Sequence, residues 1–155
     1  MTIHRDSHSP GFTLIELLIV VAIIGVLAAI VIPTYEGSVR KANEGAAVAT
    51  LNRIKLAQAK YVIDHKGDYG TFPQLVGEGY LDKRFNEDKP VLRGYIFTIT
   101  LTPKAQGRTA TFSINADPEQ SQGVMATGTN FYYTDATGGI CFNRQRRATA
   151  DDESL

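Results

Sequence analysis

Residues able to carry chemistry are scarce in this chain. Cysteine occurs once, as Cys141, so no intrachain disulfide and no cysteine metal cluster can form. The ordinary reading of such a residue is a small buried thiol. Of three histidines, His4 and His8 fall within the first eleven residues, and His65 has no cysteine or carboxylate at metal-ligand spacing. There is no phosphate-cradling glycine loop and no Gly-x-Ser-x-Gly elbow. Asp117, Glu119 and Asp135 flank loops, but no segment has the dense oxygen spacing of a calcium loop. These gaps argue against an enzyme and against a resident metal or cofactor. A surplus of one charge is missing too: 16 Lys+Arg face 16 Asp+Glu. That removes the basic excess expected of a dedicated nucleic-acid binder.

What the chain does have is a long stretch without charge. Leu17 to Ile32 is sixteen residues with no ionisable group, and counting from Phe12 the segment is twenty-one long. At 1.5 Å per residue, a helix of that length spans about 30 Å, the hydrocarbon thickness of a bilayer. One acid, Glu16, interrupts it one turn from its start. An ionisable residue in a membrane segment is costly, and its presence is by default a functional hypothesis. The remainder of the 155 residues suffices for one further domain.

Met1 to Gly11 is short and polar and ends Ser9-Pro10-Gly11. An ordinary secretory signal places its apolar core before the cleavage site. Here the cut would precede the apolar run, which is then retained. Glycine suits such a site, because without a Cβ it lets a protease approach the backbone closely. The arrangement Gly11-Phe12-Thr13-Leu14-Ile15-Glu16 followed by a spanning helix closely resembles the prepilin signal of the type IV pilin and type II secretion pseudopilin superfamily. The resemblance implies that a membrane prepilin peptidase cuts between Gly11 and Phe12 on the cytoplasmic side and N-methylates Phe12. It implies a single-pass inner-membrane precursor, N-in and C-out, delivered by an assembly platform to a pilus or a periplasmic pseudopilus. Charge alone does not give that orientation, since Arg5 and the amino terminus on one side face Arg40 and Lys41 on the other.

Glu16 carries two readings. It can complement the helix N-terminal dipole at the interface. Alternatively, it can pair with the α-amine that cleavage frees at Phe12, since a carboxylate in hydrocarbon strongly favours a cationic partner. The resemblance implies that the amine belongs to a neighbouring subunit, setting register during assembly. An intrachain pair at i, i+4 competes with it, and the residues are compatible with both. Gly25 and Pro33 interrupt the helix. Proline removes a donor and predicts a kink, and both positions match the glycine and proline of pilins whose helix bends or unwinds in the filament. Gly25 and Ala29 form a small-xxx-small pair that permits close helix approach.

Beyond Pro33, residues 34–66 read as a continuing amphipathic helix. Ala47, Leu51, Ile54, Ala57 and Tyr61 form an apolar stripe at helical spacing, and Arg40, Lys41, Arg53, Lys55 and Lys60 fall largely off it. Phe12 to Lys66 then predicts one curved helix of about 80 Å. Gly67-Asp68-Tyr69-Gly70 breaks it, and Pro73 suits the first turn of a short helix through Leu75 and Val76. Alternation in Tyr95–Thr102 and Thr109–Ala116, with further strands at Phe131–Thr134 and Ile140–Phe142, predicts a half-buried antiparallel sheet. Tyr132 and Tyr133 are explained by strand packing more simply than by an exposed recognition patch.

Residues 67–143 are few for an independent core, so the sheet is expected to pack on the helical stripe. The fold class is α+β, a pilin-like arrangement of one long N-terminal helix on a small antiparallel sheet. The expected divisions are a leader 1–11, a membrane or filament-core helix 12–33, its amphipathic continuation 34–66, a β-rich domain 67–143 and a frayed polar tail 144–155. The function implied is a structural pilin that polymerises with copies of itself, with the bilayer as its environment before assembly. The alternatives are a pseudopilin of a secretion or DNA-uptake system and a membrane-anchored binding module that never polymerises. Lone Cys141 speaks against the pilins whose C-terminal loop is closed by a disulfide.

Overall fold

The computed structural model describes residues 11–123 and 125–155; the leader assigned to residues 1–11 lies, but for Gly11, outside them. Helix α1 spans Leu14–Asp64. Its end is set by backbone geometry: Lys66 and Gly67 take positive φ (55° and 96°), and the Gly67 N–H returns to the Val62 carbonyl at 3.0 Å. That is the left-handed stop in which the final carbonyls of a helix are satisfied. The helical backbone runs unbroken through Gly25 and Pro33. Two compact units divide the chain, one ending at Gly37 and the other running from Ser38 to Leu155.

Within the second unit, the stripe predicted on α1 is the floor of the core. Ala47, Leu51, Ile54, Ala57 and Tyr61 are all buried, and they cluster with Phe72, Leu75, Phe85, Tyr95, Phe97, Phe112, Ile114 and Tyr132. Gln58 shares that face and is completely buried. Its amide donates to the Gly70 carbonyl at 2.6 Å and accepts from the Gly70 N–H at 3.0 Å, so both polar ends are satisfied. The short helix α2, Phe72–Gly77, begins with Pro73 in its first turn and Thr71 N–H bonded to Gln74 Oε1 at 2.8 Å. A single 3-10 turn, Lys83–Phe85, follows it and buries Phe85.

The sheet is a six-stranded antiparallel meander in chain order: β1 Val91–Leu92, β2 Tyr95–Thr102, β3 Thr111–Pro118, β4 Phe131–Asp135, β5 Ile140–Asn143 and β6 Glu153–Ser154. Register follows the alternation of side chains. Phe97 lies opposite Ala116, Ile99 opposite Ile114 and Leu101 opposite Phe112, all toward α1, while Thr98, Thr100 and Thr102 pair with Asn115, Ser113 and Thr111 on the outer side. Tyr132 and Thr134 continue the inner face, and the buried Thr134 hydroxyl is satisfied by the Gly139 carbonyl at 2.7 Å.

The structure departs from the sequence expectation in three places. Strand β3 starts two residues later than Thr109, because residues 105–108 close a tight turn with an Ala105–Arg108 bridge. Strands β1 and β6, two residues each, were too short to show a period. The frayed tail at 144–155 is corrected: β6 pairs with β5, Ala148 is buried, and its carbonyl accepts from Asn115 Nδ2 at 2.9 Å. This segment is held by polar groups, which leave no hydrophobic period to read. Asp152 accepts from Asn143 Nδ2, Arg146 Nη2 and the Thr149 N–H at 2.8, 2.7 and 2.8 Å, and Arg147 meets Asp117 at 3.0 Å.

A long connection, residues 119–130, joins β3 to β4, and one turn of α1 holds it. Arg40 Nη2 donates to the Gly123 carbonyl and Asn43 Nδ2 to the Thr127 carbonyl, each at 2.9 Å. Glu44 Oε1 accepts from the Thr129 N–H and hydroxyl at 2.8 and 2.7 Å. The loop then presses on the β1–β2 turn, where a Cβ on Gly94 would stand 2.5 Å from the Thr127 Cβ. Gly94 also has φ of +72°, so glycine is required there on two counts.

Candidate functional site

Gly11, Phe12 and Thr13 lead into α1, and Thr13 closes its first turn. The Thr13 N–H and hydroxyl both donate to Glu16 Oε2, at 2.8 and 2.7 Å, and the Glu16 N–H approaches Thr13 Oγ1 at 3.3 Å. The first backbone bond of the helix, Leu17 N–H to the Thr13 carbonyl, is 3.2 Å. Thr13-Leu14-Ile15-Glu16 is therefore a reciprocal capping box that satisfies donors a helix start otherwise leaves orphaned. Sequence reasoning treated Glu16 as a charge and missed this box, although a threonine three residues before a glutamate at the head of an apolar run is its signature. Both Thr13 donors converge on Oε2, so the cap does not require the second carboxylate oxygen.

Behind the box the helix is apolar on every side. Leu14, Ile15, Leu17, Leu18, Ile19, Val20 and Val21 are exposed, as are Ile23, Ile24, Val26, Leu27, Ile30, Val31 and Ile32. The segment is long and apolar enough to cross a membrane. A helix that is hydrophobic all round is at rest only inside a larger apolar body, a bilayer or a bundle of other helices. Glu16 stands exposed at the head of this surface. Around Gly25 no heavy atom lies within 4 Å of the place a Cβ would occupy, which leaves that side of the helix open to close approach. Gly11 and Phe12 are exposed ahead of the first turn.

The other residues singled out from sequence go to structural duties. The His65 ring stacks on Tyr61 at 3.7 Å between centroids, with Nδ1 2.9 Å from the Tyr61 carbonyl and Nε2 3.1 Å from Glu78. Asp117 pairs with Arg147, and burial pushes its carboxyl above the ordinary range. Asp135 accepts from the Thr137 N–H at 2.8 Å and hydroxyl at 2.6 Å, shaping the β4–β5 turn. Cys141 sits half-buried on β5 with Sγ 3.7 Å from the Ala150 carbonyl. Tyr132 is core, and the Tyr133 hydroxyl lies 3.3 Å from Asp135.

Comparison with known proteins finds one match to the N-terminal segment and others that extend over most of the chain. Residues 7–32 match the family described as the prokaryotic N-terminal methylation motif. The chain is 36% identical over 121 residues to the type IV major fimbrial protein FimA of Dichelobacter nodosus, covering 78% of this chain and 72% of that one. It is 31% identical over 122 residues to the type IV wide pilus major component PilA4 of Thermus thermophilus, covering 79% and 90%. With the type IV major pilin protein PilE1 of Neisseria gonorrhoeae it shares 42% identity over 55 residues, 36% of this chain and 33% of that one. No solved structure gives a significant match.

Proposed function

This chain belongs to the type IV pilin family, and on that premise we propose that it is the structural subunit of a helical surface filament. Residues 1–11 are the leader, removed by prepilin peptidase between Gly11 and Phe12, and the new amine at Phe12 is methylated. Until assembly, residues 12–33 hold the subunit in the inner membrane, N-in and C-out. An assembly platform then moves it from lipid into the filament, where the same helix packs among copies of itself. The observation that carries this reading is the Leu17–Ile32 stretch of α1, sixteen residues without a charge whose large apolar side chains are all exposed. Relatives whose names are those of major pilus components support it.

Glu16 is the register element. Cleavage gives Phe12 a cationic amine, and a carboxylate in hydrocarbon is costly by about 2–4 kcal/mol unless paired. The amine of a neighbouring subunit relieves that cost at only one axial offset, which couples correct stacking to charge neutralisation. The capping box supports the role, since it holds Oε2 against Thr13 and keeps the carboxylate at the head of the helix. The helix between Gly25 and Pro33 is where unwinding on packing is cheapest, because glycine and proline are the poorest helix residues.

The test is to shear filaments from cells, separate them from membranes and weigh the intact protein in each fraction. Abundant sheared protein beginning at Phe12 with one added methyl is expected. Processed mass confined to membranes would replace the surface filament with a pseudopilin arrangement, and an uncut chain would overturn the reading. Gly11→Val is expected to leave the mass unprocessed. Glu16→Ala is expected to be processed normally yet lose most of its filaments, and wild-type filament yield from it would remove the register argument.

A further inference from the structure

One side of the sheet is left open. Strand β2 pairs with β3 from Tyr95 through Thr102, yet on its other side β1 meets only Tyr95 and Ile96. One further bond follows, from the Phe97 N–H to the Pro90 carbonyl at 3.0 Å, and there the pairing stops. Pro90 has no N–H to return to the Phe97 carbonyl, so proline ends the track of β1. Backbone groups of an antiparallel strand alternate sides, so those of Ile99 and Leu101 face outward with the Phe97 carbonyl. Among the described residues no strand lies against them. The vacant track runs from Phe97 to Thr102, about 17 Å.

Natural sheets blunt an open edge with lysine, proline, a bulge or short length. Phe97-Thr98-Ile99-Thr100-Leu101-Thr102 has none of these: it is uncharged, and its register with β3 is continuous. Its residues are good strand formers. Ile99 and Leu101 turn toward α1 but are only half-buried, whereas Phe97 beside the end of β1 is fully buried. An added strand would lay apolar side chains beside Ile99 and Leu101 and polar ones beside Thr98 and Thr100. The opposite edge offers no such track. There β6 pairs with Cys141 and Phe142, and the Leu155 N–H bonds the Ile140 carbonyl at 2.9 Å.

Charge says what kind of strand fits. Residues 89–116 carry Lys89, Arg93, Lys104 and Arg108 and no acid. Lys89 has Glu87 and Asp88 beside it in the chain, but Lys104 and Arg108 stand exposed in the β2–β3 turn, which holds no acid. That turn is where the vacant track ends.

A second copy is a poor source of the strand. Its one run of three acids, Asp151-Asp152-Glu153, is already engaged, Asp152 by Asn143, Arg146 and Thr149 and Glu153 by pairing with Phe142. Two β2 tracks laid antiparallel, Phe97 against Thr102, would drive Pro103 and Lys104 of each into β1 of the other.

We propose that the β2 edge from Phe97 to Thr102 is a docking site for an extended acidic segment of another protein, which adds to the sheet as an outer strand with its acids against Lys104 and Arg108. Main-chain bonds to Phe97, Ile99 and Leu101 supply the affinity, and the two cations select the partner. The edge is open in the single chain, so docking needs no filament.

The probe is a synthetic peptide of alternating valine and threonine with glutamates at both ends, set against the same peptide with lysines at both ends. Residue-resolved amide exchange is followed by magnetic resonance on the full chain in detergent. We expect the Ile99 and Leu101 amides, fast in the free chain, to slow about tenfold with the acidic peptide and to change little with the basic one. Lys104→Glu combined with Arg108→Glu leaves the strands untouched and is expected to reverse that preference. Equal protection by both peptides, or protection by neither, would overturn the proposal. Slow exchange of these amides without peptide, in detergent or in sheared filaments, would mean that this chain already covers its own edge, and the docking site would fall while the filament reading stands.

Discussion

At Glu16 one carboxylate serves two demands, closing the first turn through Thr13 and remaining available at the head of an apolar helix. Its place in the apolar run marks Glu16 as a functional hypothesis, and the cap was legible from the threonine three residues earlier. Gln58 was not legible at all. It is a polar residue on a buried stripe, explained only by Gly70, twelve positions away, folding back onto it. Gln58→Leu keeps the volume but strands a buried N–H and carbonyl of Gly70, each worth about 1–3 kcal/mol. We expect a loss of at least about 2 kcal/mol in denaturant unfolding of the detergent-solubilised chain, and an unchanged midpoint would show that water satisfies Gly70 instead.

Asp152 gives the residue scale its pH dependence. Hydrogen bonds from Asn143 and the Thr149 N–H, together with Arg146, hold its carboxyl below the ordinary value. Asp82 is held down as well, to about 2, through its bonds with Arg84 and its pairing with Arg53. A carboxyl that binds its proton less tightly in the folded than in the unfolded chain stabilises the fold above the unfolded value, about 3.9 for aspartate. That contribution is lost as pH falls through the lowered folded value. Asp152→Asn is therefore expected to lower the melting temperature at pH 6 and to converge on the parent as pH falls from 4 toward 2. Parallel melting curves across that range would contradict the assignment.

At the scale of elements, the sequence was readable wherever burial imposes a period. The five stripe residues of α1 and the alternation of β2 declared themselves because one face of each meets a core. Strands β1 and β6, the 119–130 connection and residues 144–155 are held by polar contacts between distant positions, and those impose no period on sequence. The grip of α1 on the connection is an example, since Glu44 meets Thr129 and Asn130 across more than eighty residues. Glu44→Ala removes the acceptor for both and is expected to open the connection to protease. Limited proteolysis should then cut first between residues 119 and 130, ahead of any cut in the strands.

At the scale of the whole molecule, the buried core is built, among the described residues, from Ala47 onward, and the unit that holds it begins at Ser38. A chain beginning at Ser38 is therefore expected to be soluble and to unfold in a single cooperative transition, seen as coincident far- and near-ultraviolet dichroism curves. Aggregation or a non-cooperative melt would mean that the N-terminal unit supports the fold after all.

The meander ends at both sides in strands of only two residues, β1 following Pro90 and β6 carrying Glu153. An open sheet edge is a template on which another chain can add a strand, and the hazard grows with local concentration. A polymer that sets identical sheets side by side brings that concentration to its extreme. β1 and β6 shorten the paired edges but do not close the first of them, since β1 pairs only with Tyr95 and Ile96 of the eight-residue β2. In the filament proposed above, helix packing would have to outcompete strand addition there for the polymer to release its subunits folded, one at a time.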